Sequence, residues 1–299
     1  MPTFSTPSPI DVAVKLPVGA IDIIATDRSD TVVTVSPSNP NKPVDVRGAS
    51  ETKVDFDGQR LTITGPRPRF SFVGPFESID VKIEVPSGSR FTAENSGGPV
   101  RSSGRLGATR IKSSLVELDE TGDLWIRALN GNVEVARIGG GAEITADHGQ
   151  IRIGDVSGDA ILKASHGSVT VSQSGGDLEA KLAYGDLLIM KALASVEAKT
   201  AYGSIDLLEV TSGSVQVESG YGRVKIGVKP GVAAWLDLSS KDGRVRNQLG
   251  SDSAPDPSEQ TVAVRARTQY GDITVTHSSG GASNSTASNG TASNGKEAK

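Results

Sequence analysis

Eight side chains with chemical potential stand immediately before a glycine: Asn130, His148, His166, Tyr184, Tyr202, Tyr221, Asp242 and Tyr270. From Asn130 to Tyr202 the step between them is eighteen residues. If each step is one turn of a regular coil, neighbours lie about 5 Å apart, the spacing of paired strands. Two histidines at that separation can share a divalent metal, and the stacked tyrosines Tyr184, Tyr202 and Tyr221 can form a platform for a sugar ring or a peptide. The plainer role is stacking itself, which stabilises adjacent rungs by roughly 0.5–1.5 kcal/mol per ring pair. A metal needs more ligands than two, and Asp147 is the one acid beside the histidines in sequence. No metal, cofactor or catalytic residue is therefore expected, and the column is read as a candidate binding surface.

A second candidate surface is the segment GPRPRFSFVGPF, residues 65–76. Arg67, Arg69, Phe70 and Phe72 on a proline-rich loop are the ingredients of a protein contact. The duller alternative is a hairpin tip folded onto neighbouring strands.

The elements that must carry the column are read from the glycines. Gly122, Gly131, Gly140, Gly149, Gly158, Gly167, Gly176 and Gly185 recur every nine residues, Ala194 replaces the next, and Gly203 follows. A corner-forming residue at a fixed step is the signature of a chain that stacks one small unit on itself. Within each nine, apolar residues occupy the third and fifth places, which share one face of a strand. Alanine enters these columns at Ala142, Ala160, Ala180 and Ala198, on alternate lines, so the true unit is two lines. The expectation is an all-β solenoid of about 18 residues and two strands per coil, with a larger wall facing a smaller one.

Three segments follow from the pattern. Residues 1–92 alternate apolar and polar residues without the nine-residue step (VAVKL, AIDIIA, TVVTVS, RLTIT, SIDVKIEV) and are expected to form an N-terminal antiparallel β cap over the first rung. Residues 93–277 form the solenoid. Residues 278–299, built from Ser, Asn, Gly, Thr and Ala with a short charged end, cannot bury enough apolar surface to order themselves and are expected to be a disordered tail.

Composition excludes several functions. Net charge is −4 on 31 basic and 35 acidic residues, which supplies no cationic field for nucleic acid. There is no cysteine, so thiolate zinc sites and cysteine nucleophiles are excluded. No stretch is apolar enough for membrane insertion, and the N-terminal residues lack the pattern of a secretion signal, so a cytoplasmic location is expected. On the outer face, Glu143, Glu179 and Glu197 alternate with Arg127, Lys163, Lys181 and Lys199, a self-compensating strip rather than a site for an anionic polymer. The Gly-Asp pairs suggest a calcium β-roll, but that repeat needs aspartate at its sixth place, where this chain has residues such as Ala136, Thr145, Gly154 and Lys163. The aspartates are instead expected to bond their own turn backbone. A hexapeptide-repeat acyltransferase fails on the step of six, which would align Ile151, Ser157 and Lys163.

Several stretches together carry a family resemblance: TPSPIDVAVKLPVGAIDIIATDRSDTVVTVSPS, ESIDVKIEVPSGS, the YGSIDL and YGRVKI rungs, GVAAWLDLSSKDGRV and VRARTQYGDITV. Over roughly residues 3–276 the chain resembles the bacterial putative-adhesin family of β-strand-repeat proteins of unknown function. The resemblance implies a β-solenoid without an established catalytic residue or cofactor. The function expected is therefore a non-enzymatic scaffold or binding protein with a protein partner. A polysaccharide-active β-helix enzyme, and a structural protein that self-associates through its solenoid ends, are the alternatives.

Overall fold

The computed structural model describes residues 2–66, 77–250 and 261–278. Two sheets, of 14 and 13 strands, face each other and enclose one continuous apolar core. Each coil contributes one strand to each sheet. Leu178–Tyr184 lies in the 13-stranded sheet, and Leu187–Ala192, after a two-residue corner, lies in the 14-stranded one. The next coil repeats the path, so that Leu178 pairs in parallel with Val196 and Leu187 with Ile205, eighteen residues on.

The two walls differ as the repeat implies. Val133, Ile151, Val169, Leu187 and Ile205 line the 14-stranded sheet, and Ala142, Ala160, Ala180 and Ala198 lie on the other, all buried. β-Branched residues suit the pleated inner face, and the alanines let the walls approach closely. Parallel strands of this kind normally need long crossovers, but here the opposite wall is itself the crossover, which is why nine residues suffice per strand and corner.

One corner depends on glycine in a strict sense. Gly131, Gly149, Gly167, Gly185 and Gly203 all have φ between +122° and +149°, a region that L side chains avoid. A Cβ on Gly167 would also sit 1.8 Å from the carbonyl oxygen of Gly149. The same corner runs back into the N-terminal region, where Gly98 has φ +125° and stacks directly on Gly19.

The parallel stack accordingly extends beneath the cap. Asp11–Leu16 lies parallel between Arg60–Thr64 and Arg90–Asn95, and Ile21–Thr26 lies parallel between Ile79–Pro86 and Pro99–Ser103. Val12, Val14 and Leu16 are as buried as any rung residue, which explains why this segment joins the coil. Antiparallel pairs sit outside it: Thr3–Ser5 with Asp30–Pro37, Asp30–Pro37 with Ile79–Pro86, and Lys53–Phe56 with Arg60–Thr64. A helix, Pro43–Glu51, also belongs to this end. Its residues announce it weakly: Pro43 and Asp45 suit a first helical turn, but PVDVRGASE contains a glycine, two valines and no regular apolar stripe.

At the other end the chain departs from sequence order. The strand Thr261–Tyr270 inserts between Gly213–Tyr221 and Ala233–Asp242, and Ile273–His277 inserts between Val224–Val228 and Val245–Asn247. The last coil in sequence is thus the penultimate coil in space. No helix among the described residues is long and apolar enough to cross a membrane.

Candidate functional site

The predicted column exists. In-register pairing aligns Asn130 with His148, His148 with His166, His166 with Tyr184, Tyr184 with Tyr202, Tyr202 with Tyr221, and Tyr221 with Tyr270. Because the final coil is inserted, Asp242 lies beyond Tyr270 rather than before it. The six rings form one stack with successive centroids 4.7–5.0 Å apart. From His166 to Tyr270 adjacent ring planes are within 7° of parallel.

This geometry decides what the column can do. Each inner ring spends both faces on its neighbours, so no sugar ring can lie on a face of Tyr184, Tyr202 or Tyr221 as on an open platform. What reaches solvent is a row of ring edges and phenolic hydroxyls at strand pitch. Tyr184, Tyr202, Tyr221 and Tyr270 are nevertheless 42–50% exposed, a large aromatic area for a soluble surface. His148 and His166 stack at 4.8 Å, but among the described residues no three His, Cys, Asp or Glu side chains converge as a metal site would require. Arg67, Arg69, Phe70 and Phe72 lie outside the described residues.

The aspartates after the corner glycines act differently from expectation. Their carboxylates reach the next rung instead of their own turn: Oδ1 of Asp159 accepts from the Asp177 N–H at 2.9 Å, Asp177 from Ser195 at 3.1 Å, and Asp186 from Ser204 at 2.7 Å. A corner carries backbone donors that the strand ladder leaves unpaired, and a short acid one rung below is positioned to take them. The outer charged strip pairs as anticipated, with Lys181 on Glu179 and Lys199 Nζ 3.1 Å from Glu197. The hydrogen bond from Lys181 holds the Glu179 carboxyl below its ordinary pKa, and that to Glu197 raises Lys199.

One constellation escapes sequence reasoning altogether. Arg110 lies over the indole of Trp125, its guanidinium carbon 3.8 Å from the ring centroid. Nearby, Arg90 forms a two-pronged ion pair with Asp11, one prong at 2.8 Å. The partners are 15 and 79 residues apart, and only the register of the parallel strands brings them to one surface.

No curated protein matches the chain. Among solved structures it is similar to a putative cell adhesion protein of Clostridium sporogenes, at 9% identity over 92% of this chain and 98% of that one, with a TM-score of 0.24. It is also similar to a putative adhesin of Bacteroides fragilis (13% identity, 92% and 95% covered, TM-score 0.34) and to one of Parabacteroides merdae (11%, 92% and 94%, 0.28). The pattern of the Toastrack DUF4097 family matches residues 10–299, nearly the whole length, and the chain belongs to that family of β-repeat proteins.

Proposed function

We propose that this protein is a non-catalytic binding scaffold that meets a protein partner along its aromatic corner. The observation that carries this reading is the unbroken stack from His148 to Tyr270, with its tyrosines about half exposed. Tyrosine offers a large contact area at low conformational cost, and here each inner ring is already immobilised by its neighbours, so little ordering entropy remains to be lost on binding. Because the faces are occupied, recognition runs through hydroxyls and edges, which favours a surface with matching donors and acceptors over a flat apolar ligand. The test is affinity capture from the native cell with the wild-type chain and with Tyr184, Tyr202 and Tyr221 all changed to serine. A protein recovered by the wild type and lost from the triple variant, with the β circular dichroism unchanged, supports the proposal. Equal recovery returns the column to stacking alone.

A second reading is end-to-end self-association, and one observation favours it. Ala233–Asp242 is the last strand of the 13-stranded sheet, and Trp235 on it is 70% exposed. Among the described residues this ten-residue strand has a neighbour on one side only, an edge of the kind that invites pairing. Light scattering over a concentration series checks it: a mass that rises for the wild type and stays monomeric for Trp235→Lys supports association through this end.

A further inference from the structure

A cleft of about 560 Å3 opens on the outer face of the 13-stranded sheet, near its N-terminal end. It is separate from the aromatic corner: Glu143 on its margin and His148 in the column are five residues apart on one strand, roughly 16 Å. Two rows of side chains line it. Arg60, Asp11 and Arg90 stand side by side on three adjacent strands. Thr92, Arg110, Trp125 and Glu143 stand side by side on four.

The charges in these rows are not equally committed. Asp11 is occupied by Arg90, and Asp123 accepts the Gly141 N–H at 3.0 Å. Arg110 rests on Trp125, and among the described residues neither it nor Arg60 has a carboxylate within ion-pair distance. Contact with the indole holds the Arg110 guanidinium in place without neutralising it. A planar fork held in this way is prepared to receive a carboxylate through two parallel hydrogen bonds.

The sign balance limits the ligand. Three guanidiniums and the carboxylates of Asp11, Asp123 and Glu143 share the lining, so the cleft has no sustained positive field to hold a polyanion. The combination instead suits a molecule with one carboxylate on a body rich in hydroxyls. The carboxylate takes Arg110, sugar hydroxyls donate to Glu143 and hydrogen-bond to Thr92 on the strands to either side, and the edge of Trp125 meets the apolar ring face. We propose that the cleft binds an acidic saccharide, with a uronic-acid unit as its recognised element.

The test is calorimetric titration of the full chain with a trisaccharide that carries a single terminal glucuronate at low salt, with maltotriose and inorganic phosphate as comparators. Saturable binding of the uronate is expected, at least tenfold weaker for maltotriose, with no displacement by equimolar phosphate. Arg110→Gln is expected to weaken binding about tenfold, and Tyr184→Ser to leave it unchanged. Arg110→Lys keeps the charge and the fold while removing the planar fork, and should also weaken binding. Absence of uronate binding to the wild type overturns the proposal. So do equal affinity for maltotriose, displacement by phosphate, or wild-type affinity in Arg110→Lys or Arg110→Gln.

Discussion

Tyr184 and Tyr202, eighteen residues apart in the chain, stack with ring centroids 5.0 Å apart and planes within 3° of parallel. The backbone pairing imposes this relation, and the rings in turn tie the two rungs together at their corner. In a solenoid each rung touches only its neighbours, so a ring in mid-stack supports two interfaces and a ring at the end supports one. Tyr202 stacks on both Tyr184 and Tyr221, whereas Tyr270 stacks on Tyr221 alone. Tyr202→Ala should therefore cost about 1–3 kcal/mol and Tyr270→Ala about half that, at roughly 0.5–1.5 kcal/mol per ring contact. Urea unfolding followed by circular dichroism gives the comparison; equal losses would show that stacking is energetically idle.

Glycine at the strict corner should be irreplaceable, whereas glycine with the same backbone sign elsewhere should not. Gly185 has φ +147°, and a Cβ there would lie 2.1 Å from the Gly167 carbonyl oxygen. Gly58 has φ +101°, yet a Cβ there meets nothing within 4 Å. Gly58→Ala carries the conformational penalty alone, about 1 kcal/mol. Gly185→Ala adds a clash between backbone atoms of successive rungs, and should cost more than about 3 kcal/mol or prevent the central coils from closing. Chemical denaturation of the two variants distinguishes the cases.

The aspartate ladder makes a local prediction. Asp177 accepts from Ser195 N–H and donates its own N–H to Asp159. Asp177→Ala removes the acceptor above and leaves the bond below intact. The Ser195 amide should then exchange with solvent faster than in the wild type, with the Asp177 amide little changed, and global stability should fall by about 0.5–1.5 kcal/mol. Asp177→Asn, which keeps an acceptor oxygen, should restore protection. Amide exchange by NMR reads both positions; unchanged protection at Ser195 in the alanine variant would assign no role to the carboxylate.

What could be read from the chain, and what could not, follows from where the information lies. The coil, its two unequal walls and the order His148, His166, Tyr184, Tyr202, Tyr221 are all local repeats, visible because equivalent residues sit eighteen or nineteen apart. The insertion of Thr261–Tyr270 beneath Ala233–Asp242 leaves no such trace, because strands that pair in parallel look alike whichever comes first in sequence. The Asp159 to Asp177 bond was hidden for a related reason. An acid after a glycine suits its own turn and the next rung equally well on paper, and only the stacking distance selects between them. The Arg60, Arg90 and Arg110 cleft depends on register across the N-terminal strands, where the nine-residue step is absent and alternation alone does not say which strand lies beside which.

Acid should loosen the N-terminal end through Arg28. Its Nε donates to Asp30 at 2.8 Å and its Nη1 donates to Glu84, joining the strand Asp30–Pro37 to Ile79–Pro86. Hydrogen bonds from Arg28 hold both carboxyls below their ordinary pKa, and Lys82 adds to the effect on Glu84. In the unfolded chain these groups return to ordinary values near about 4. The unfolded chain therefore binds more protons in mild acid, so the clamp contributes fully above the ordinary carboxylate range and is lost as pH falls through the depressed folded values. Arg28→Gln should melt at a lower temperature than the wild type near neutral pH, and the gap should narrow as both are taken from about pH 5 to about pH 2. Thermal melts across that range supply the measurement. A gap that stays constant or widens in acid would mean that Arg28 acts through the packing of its stem and not through its charge.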